Sequence, residues 1–175
     1  RTRPRASRRS SRWKAPSPSP EMNYVPKAES KMQKMYCDIF HIRRMSFLNS
    51  VIKPINAVMV HELRERYNSK DIQDIIAGQI HSIEDRGFSI EDITMDPDPT
   101  FADVHTLRSV HKVAAGSHVA IAERIIRVVK ERCRATESAL PFKVPRRFVP
   151  DMVKGVVSNV NLIPSRSDND MRCAY

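Results

Sequence analysis

Apolar residues recur at three- and four-residue spacing through much of this 175-residue chain. Within residues 27–48, Met32, Met35, Tyr36, Ile39 and Phe40 form one stripe and Lys27, Lys31 and Lys34 lie opposite, which predicts a first helix. Pro54 suits the first turn of a second helix with Val58, Met59 and Leu63 on its apolar face. A third helix is expected from Ser69, a favourable N-cap, with Asp71 in the first turn. Ile72, Ile75, Ile76, Ile80 and Ile83 form its stripe, and Gly87 is a natural stop.

The period then changes. Phe88 and Ile90 alternate, and Ile93 and Met95 alternate one residue out of phase, which predicts a bulged strand over 88–95. Residues 101–107 alternate again. Asp96-Pro97-Asp98-Pro99 between the two runs breaks any helix and predicts a tight turn, hence a hairpin. A helix follows over about 117–134, with Val119, Ala122, Ile125, Ile126 and Val129 toward the core. Arg124, Arg127, Lys130 and Arg134 take its other side, partly neutralised by Glu123 and Glu131. Residues 153–162 are expected to supply a third strand, with Gly155 as its weak point.

Composition adds a polyanionic partner to this picture. The net charge is +10 and the pI about 9.9, which favours RNA, DNA or an anionic surface. The charge is unevenly placed: residues 1–20 hold six arginines and Lys14 with no acid, a net of +7, and leave +3 for the rest. An Arg-, Ser- and Pro-rich stretch of this kind over 1–26 cannot bury enough apolar surface to order itself. It is either a nucleic-acid-contacting arm, with Arg8, Arg9 and Arg12 on phosphates and Trp13 stacked on a base, or a transit-type segment addressed to an organelle. No run of eighteen apolar residues suggests a membrane helix.

Reactive constellations are sparse. Cys37, Cys133 and Cys173 are far apart and form no CxxC pair, which argues against a zinc site or a disulfide framework. His105, His111 and His118 match no standard ligand spacing. Glu91-Asp92 and Asp96/Asp98 offer carboxylate pairs, though turn and strand-edge roles explain them more simply. No phosphate-cradling glycine loop or nucleophile elbow is present. The reading is therefore a binding protein rather than an enzyme, with no cofactor, no metal and no small-molecule substrate.

The middle of the chain resembles the ribosome-binding factor A family. Asp85-Arg86-Gly87-Phe88 is similar to that family's helix-to-strand turn, and Met95-Asp96-Pro97-Asp98-Pro99 to its inter-strand turn, with Asp98 at the aspartate. Ala102-Asp103-Val104 is similar to its second strand, and Ala114-Ala115-Gly116 to its Ala-x-Gly bend. Arg147-Phe148-Val149-Pro150-Asp151-Met152 is similar to its Val-Pro segment. Two departures stand against this: Arg108 to Val113 is a short link, and residues 135–145 look like an insertion.

The resemblance implies an α+β, KH-like domain over 67–163 in the order α-β-β-α-kink-α-β, preceded by the arm 1–26 and accessory helices 27–66 and followed by a tail 164–175. It also implies a non-catalytic factor for maturation of the small ribosomal subunit, in a mitochondrion on the arm's composition. Its partners would be small-subunit rRNA and ribosomal proteins or other assembly factors. Lys112, Arg124, Arg127, Lys130, Arg134, Arg146 and Arg147 are the expected phosphate contacts, and Gly87, Asp98, Ala114, Gly116, Val149 and Pro150 the structural motif. The alternatives are a resident organellar ribosomal protein and a helical subunit of a non-ribosomal mitochondrial complex.

Overall fold

The structure is a computed structural model that describes residues 31–96, 99–101, 109–112 and 119–162. Its first half is a meander. Strand β1 (Met32–Ile42) pairs antiparallel with β2 (Met45–Lys53), and β2 with β3 (Ala57–Leu63). Helix α1 (Ser69–Glu84) leads to β4 (Ser89–Met95), which lies parallel to β1. A short 3-10 turn (Pro99–Phe101) precedes β5 (Ser109–Lys112), parallel to β4. Helix α2 (Ala120–Ala139), a 3-10 turn (Arg146–Phe148) and α3 (Val149–Asn161) complete the described chain. The sheet order is β3-β2-β1-β4-β5. The α+β class is as expected, but the order of elements is not α-β-β-α-kink-α-β.

Three expectations are corrected. The helices expected over 27–48 and from Pro54 are β1, β2 and β3. The stripe that suggested a helix also fits a strand: Met35 and Cys37 are buried on one face and Phe40 on the other. A central strand covered on both faces loses the polar alternation that would identify it. The two turns use left-handed backbone, at Arg43 (φ 49) and Arg44 (φ 61), and at Asn56 (φ 60). Second, Phe101, the expected start of the hairpin's second strand, sits in a 3-10 turn, and the rest of that run lies outside the described residues; the strand that follows, β5, pairs parallel with β4, which needs a longer crossover than a hairpin turn. Third, the strand expected over 153–162 is instead the body of a helix, 149–161. Val149, Val153, Val156 and Val157 are buried at helical spacing, and Pro150 sits in the first turn, where its missing N–H costs nothing.

Other features match the sequence reading. Helix α1 opens with a reciprocal capping box, although the cap is Asn68 rather than Ser69: Asn68 Oδ1 accepts from the Asp71 amide and Asp71 Oδ2 from the Asn68 amide, both at 3.0 Å. Gly87 ends the connection at φ 85, a conformation that favours glycine. The slip in β4 is a bulge: Gln33 faces Ile90 but Lys34 faces Asp92, leaving Glu91 extra.

Two cores lie on opposite faces of the sheet. On the α1 side, Ile72, Ile76 and Ile83 meet Met35, Leu48, Ile90, Ile93 and Met95. On the other, Ile126, Val129 and Cys133 of α2 and the valines of α3 meet Phe40, Phe47 and Val58. Cys37 and Cys133 are free and buried, one in each core. Burial pushes the Cys37 thiol up to about 12 and that of Cys133 to about 11. Since the thiolate is the nucleophile, neither should react with iodoacetamide at pH 8 in the folded protein, and both should in urea. Mass spectrometry of native and unfolded samples checks this. No described helix is long and apolar enough to cross a membrane.

Candidate functional site

The sheet has one topological switch point. The chain leaves β1 toward β2 and β3 on one side, then returns through α1 to place β4 on the other side. Ligands of open sheets collect at the carboxyl ends of strands flanking such a point. Here the last paired residues of β1 and β4 are Cys37 and Met95, both buried on the α1 side. The next residue along each strand is an aspartate, Asp38 and Asp96. Alternation turns both toward the α2 face, on strands about 4.8 Å apart. Both are half-buried. Asp38 Oδ1 accepts a hydrogen bond from the Ile39 amide at 2.7 Å.

A third carboxylate arrives from α2. Glu137 makes an ion pair with Arg43 at 3.0 Å, and the Lys130 ammonium lies 5.9 Å from the Phe40 ring centroid. Seven helical residues rise about 10.5 Å, and three strand residues advance about 10 Å. Helix α2 therefore runs alongside β1 in the same direction. One further step of seven places Glu123 at the level of Cys37 and Asp38. Glu123 is exposed, in the first turn of α2, where the helix dipole favours negative charge. Val119, the N-cap, supplies no side-chain hydrogen bond, so this helix end is not pinned by a cap. Among the described residues, no three His, Cys, Asp or Glu side chains stand close enough together to hold a metal ion. Asp38 and Asp96 thus stand on neighbouring strands, and Glu123 does not join them in a three-carboxylate cluster.

Further back on the same face, Lys34 pairs with Asp92 at 3.2 Å, and His111 of β5 approaches Asp92 at 3.4 Å. The Lys34 hydrogen bond, with His111 in support, holds Asp92 below the usual carboxylate range, and Asp92 raises Lys34. A carboxylate lowered in the folded state adds stability above its unfolded pKa. That contribution is lost as pH falls through the folded value, so this cluster favours the fold at neutral pH.

Asn49 sits beside Asp38 on the neighbouring strand, its direct partner in register. It is fully buried on the α2 face, and neither its Oδ1 nor its Nδ2 has a hydrogen-bond partner among the described residues. Cross-strand neighbours on one face have Cβ atoms about 5 Å apart, so Asn49 is the nearest buried amide across from Asp38 in register. Leaving two buried polar groups unsatisfied is expensive. Asn49→Leu should therefore raise unfolding free energy by about 1–3 kcal/mol in a urea titration, with the m-value unchanged.

The sequence-predicted contacts are placed as follows. Arg124, Arg127 and Arg134 are exposed on α2, as expected. Lys130 is half-buried over Phe40 and so is not on the outer face. Lys112 is the last residue of β5. Arg146 and Arg147 precede α3, away from the start of α2; Arg146 pairs with Glu65 at 2.9 Å and Arg147 stacks on Phe148. Val149 and Pro150 open α3. Arg8, Arg9, Arg12, Asp98, Ala114 and Gly116 lie outside the described residues. Sequence reasoning weighed Asp96 only as half of a turn pair, read Glu123 as partial neutralisation of a basic face, and missed Asp38. The available signal was an isolated acid within the apolar run Met35 to Phe40.

No protein-family model matches the chain, and no curated protein sequence does. Solved structures do. A chain of the simian T-cell lymphotropic virus intasome, in complex with PP2A regulatory subunit B56 gamma, superposes with a TM-score of 0.61 at 14% identity over 81% of this chain. The match takes in 52% of that chain, so this protein spans about half its length. The catalytic core domain of BIV integrase superposes with a TM-score of 0.58 at 15% identity, covering 84% of this chain and 92% of that one. At these identities the likeness is one of fold.

Proposed function

We propose that this protein is a divalent-cation-dependent phosphoryl-transfer enzyme acting on nucleic-acid phosphodiesters, with Asp38, Asp96 and Glu123 as its carboxylates. The observation that carries the reading is that Asp38 and Asp96 each follow the last residue of the β1–β4 pairing, on neighbouring strands and the same face, with Glu123 on the helix that covers that face. Two like charges on neighbouring strands repel, and a divalent cation turns that cost into binding. Hard cations such as Mg²⁺ take carboxylate oxygens and keep several waters, which suits two aspartates and a third, later-arriving acid. The fold shared with the BIV integrase catalytic core domain supports the same choice by analogy.

In this reading Asp38 and Asp96 would hold the cation, with Glu123 as the third carboxylate. When bound, the cation supplies Lewis acidity at the phosphodiester and lowers the pKa of an attacking hydroxyl. The chain's own residues hold and orient. Arg124, next to Glu123, and Arg127, one turn on, are exposed and take flanking phosphates. The attacking hydroxyl gives its proton to solvent as its oxygen bonds to phosphorus. The opposite P–O bond breaks, and the leaving oxygen takes a proton from water.

The test is incubation with end-labelled DNA and RNA duplexes in Mg²⁺, Mn²⁺ or EDTA. Cleavage or joining that needs the cation and is lost in Glu123→Gln is expected. Binding without turnover in any cation overturns the reading. That outcome favours the second reading, for which exposed Arg124, Arg127 and Arg134 on one helix are the specific support: a non-catalytic rRNA-binding factor for a mitochondrial small ribosomal subunit, as the resemblance to ribosome-binding factor A implied.

A further inference from the structure

The β1–β2 turn poses a problem that the carboxylate site does not solve. A two-residue hairpin with both central residues at positive φ normally uses Asn-Gly or a similar pair. Here both positions are arginine. Arg43 has an evident reason to be there: its guanidinium donates to the Val144 carbonyl and pairs with Glu137, tying the turn to α2 and the segment after it. Arg44 has no such tie. It is exposed and makes no hydrogen bond or ion pair within the described chain, and the same holds for Arg64 just beyond β3. A strained backbone that carries an uncommitted side chain is a mark of use.

Arg44 and Arg64 share a groove of about 770 Å³ with Arg146 and Arg147. The groove also holds Glu62 and Glu65, so four guanidinium groups face two carboxylates. Arg146 is held against Glu65, and Arg147 over the Phe148 ring, which fixes two of the four cations in place. Guanidinium forks suit phosphate oxygens, which they can grip in pairs. The groove lies past the carboxyl end of β1, at the same end of the sheet as Asp96. From Asp38 to Ile42, the last residue before the turn, β1 advances about 13 Å. Nucleic acid lying along β1 covers that span in about four base steps at 3.4 Å each.

We infer that the groove formed by Arg44, Arg64, Arg146 and Arg147 binds the backbone phosphates of a nucleic acid, as an anchor separate from the carboxylates. It rests on the nucleic-acid reading above but not on catalysis. Arg44 and Arg64 bind, while Arg146 and Arg147 wall the groove and reinforce its field. Phosphate contacts of this kind set register and affinity without reading sequence.

The experiment measures binding of a labelled DNA duplex to the full chain in EDTA, between 50 and 200 mM NaCl. The variant is Arg44→Asn with Arg64→Gln. Asparagine tolerates the left-handed turn, so the fold should survive, and an unchanged melting temperature checks that. Losing two phosphate contacts should lower the slope of log K against log [NaCl] by about 2 and weaken binding roughly tenfold or more at the lower salt. Wild-type affinity and slope in the variant overturn the proposal. So does displacement of the DNA by polyglutamate at the charge concentration at which unlabelled DNA displaces it, since the groove would then serve acidic protein segments. Because no divalent cation is present, the outcome is independent of turnover. A chain that binds as described but never cleaves refutes only the catalytic reading, and a cleaving chain indifferent to Arg44 and Arg64 refutes only the groove.

Discussion

Asp38→Asn is expected to lower cation-dependent turnover by about 10³-fold, equivalent to some 4 kcal/mol of transition-state stabilisation. The substitution is close to isosteric. Its Oδ1 can still accept from the Ile39 amide, so the strand is undisturbed. What disappears is one of the two charges proposed to hold the cation. Removing a like-charge neighbour of Asp96 should leave the fold as stable as before, or slightly more so, by about 0.5 kcal/mol. Activity and stability thus move in opposite directions, which a merely structural Asp38 would not produce. Single-turnover kinetics on a labelled duplex, alongside a urea titration, reads both quantities.

The second large effect is on the fold. Strand β3 is an edge, and an open edge leaves backbone groups without partners. Asn161, the last residue of α3, covers that edge as a peptide group would. Its Oδ1 accepts from the Val58 amide and its Nδ2 donates to the Val58 carbonyl, both at 2.8 Å. Both Asn161 and Val58 are buried, so no solvent replaces these bonds. Asn161→Ala should cost about 3 kcal/mol, because it orphans a buried N–H and a buried C=O together. Chemical denaturation measures this, and a loss below about 1 kcal/mol would mean that the edge finds another partner. The comparison with Asn49 is instructive. Both are buried asparagines on the same side of the sheet, yet one is fully satisfied and the other not at all. The expected stability changes therefore have opposite signs. If Asn49→Leu also lowers turnover, its amide serves Asp38 rather than the fold.

How much of this was legible depended on how local the determinants were. Helix α1 could be read from its isoleucine stripe, its acidic first turn and Gly87, all of which act within a few residues. The β4 bulge was visible as a phase slip between Ile90 and Ile93. Strands β1 and β2 were not legible, since both of their faces are covered by parts of the chain far away in sequence. The hairpin at Arg43 and Arg44 lacks the glycine or asparagine that would have announced it, and contacts with Val144 and Glu137 hold it instead. Residues 153–162 were misread because valine favours strands, whereas burial of the spacing 149, 153, 156, 157 against β3 decides for a helix. The candidate site stayed hidden for a related reason. Asp38, Asp96 and Glu123 are far apart along the chain, and only the parallel pairing of β1 with β4 and the course of α2 put them on one face of the fold.

The most direct test of that convergence is Mn²⁺ binding, followed by electron paramagnetic resonance, with the wild-type chain and a non-cleavable DNA duplex. The account predicts Mn²⁺ bound by the wild type and lost in Asp38→Asn and in Asp96→Asn, each tested alone, with DNA affinity in EDTA unchanged. Wild-type Mn²⁺ binding in both variants, or none in the wild type, would contradict it.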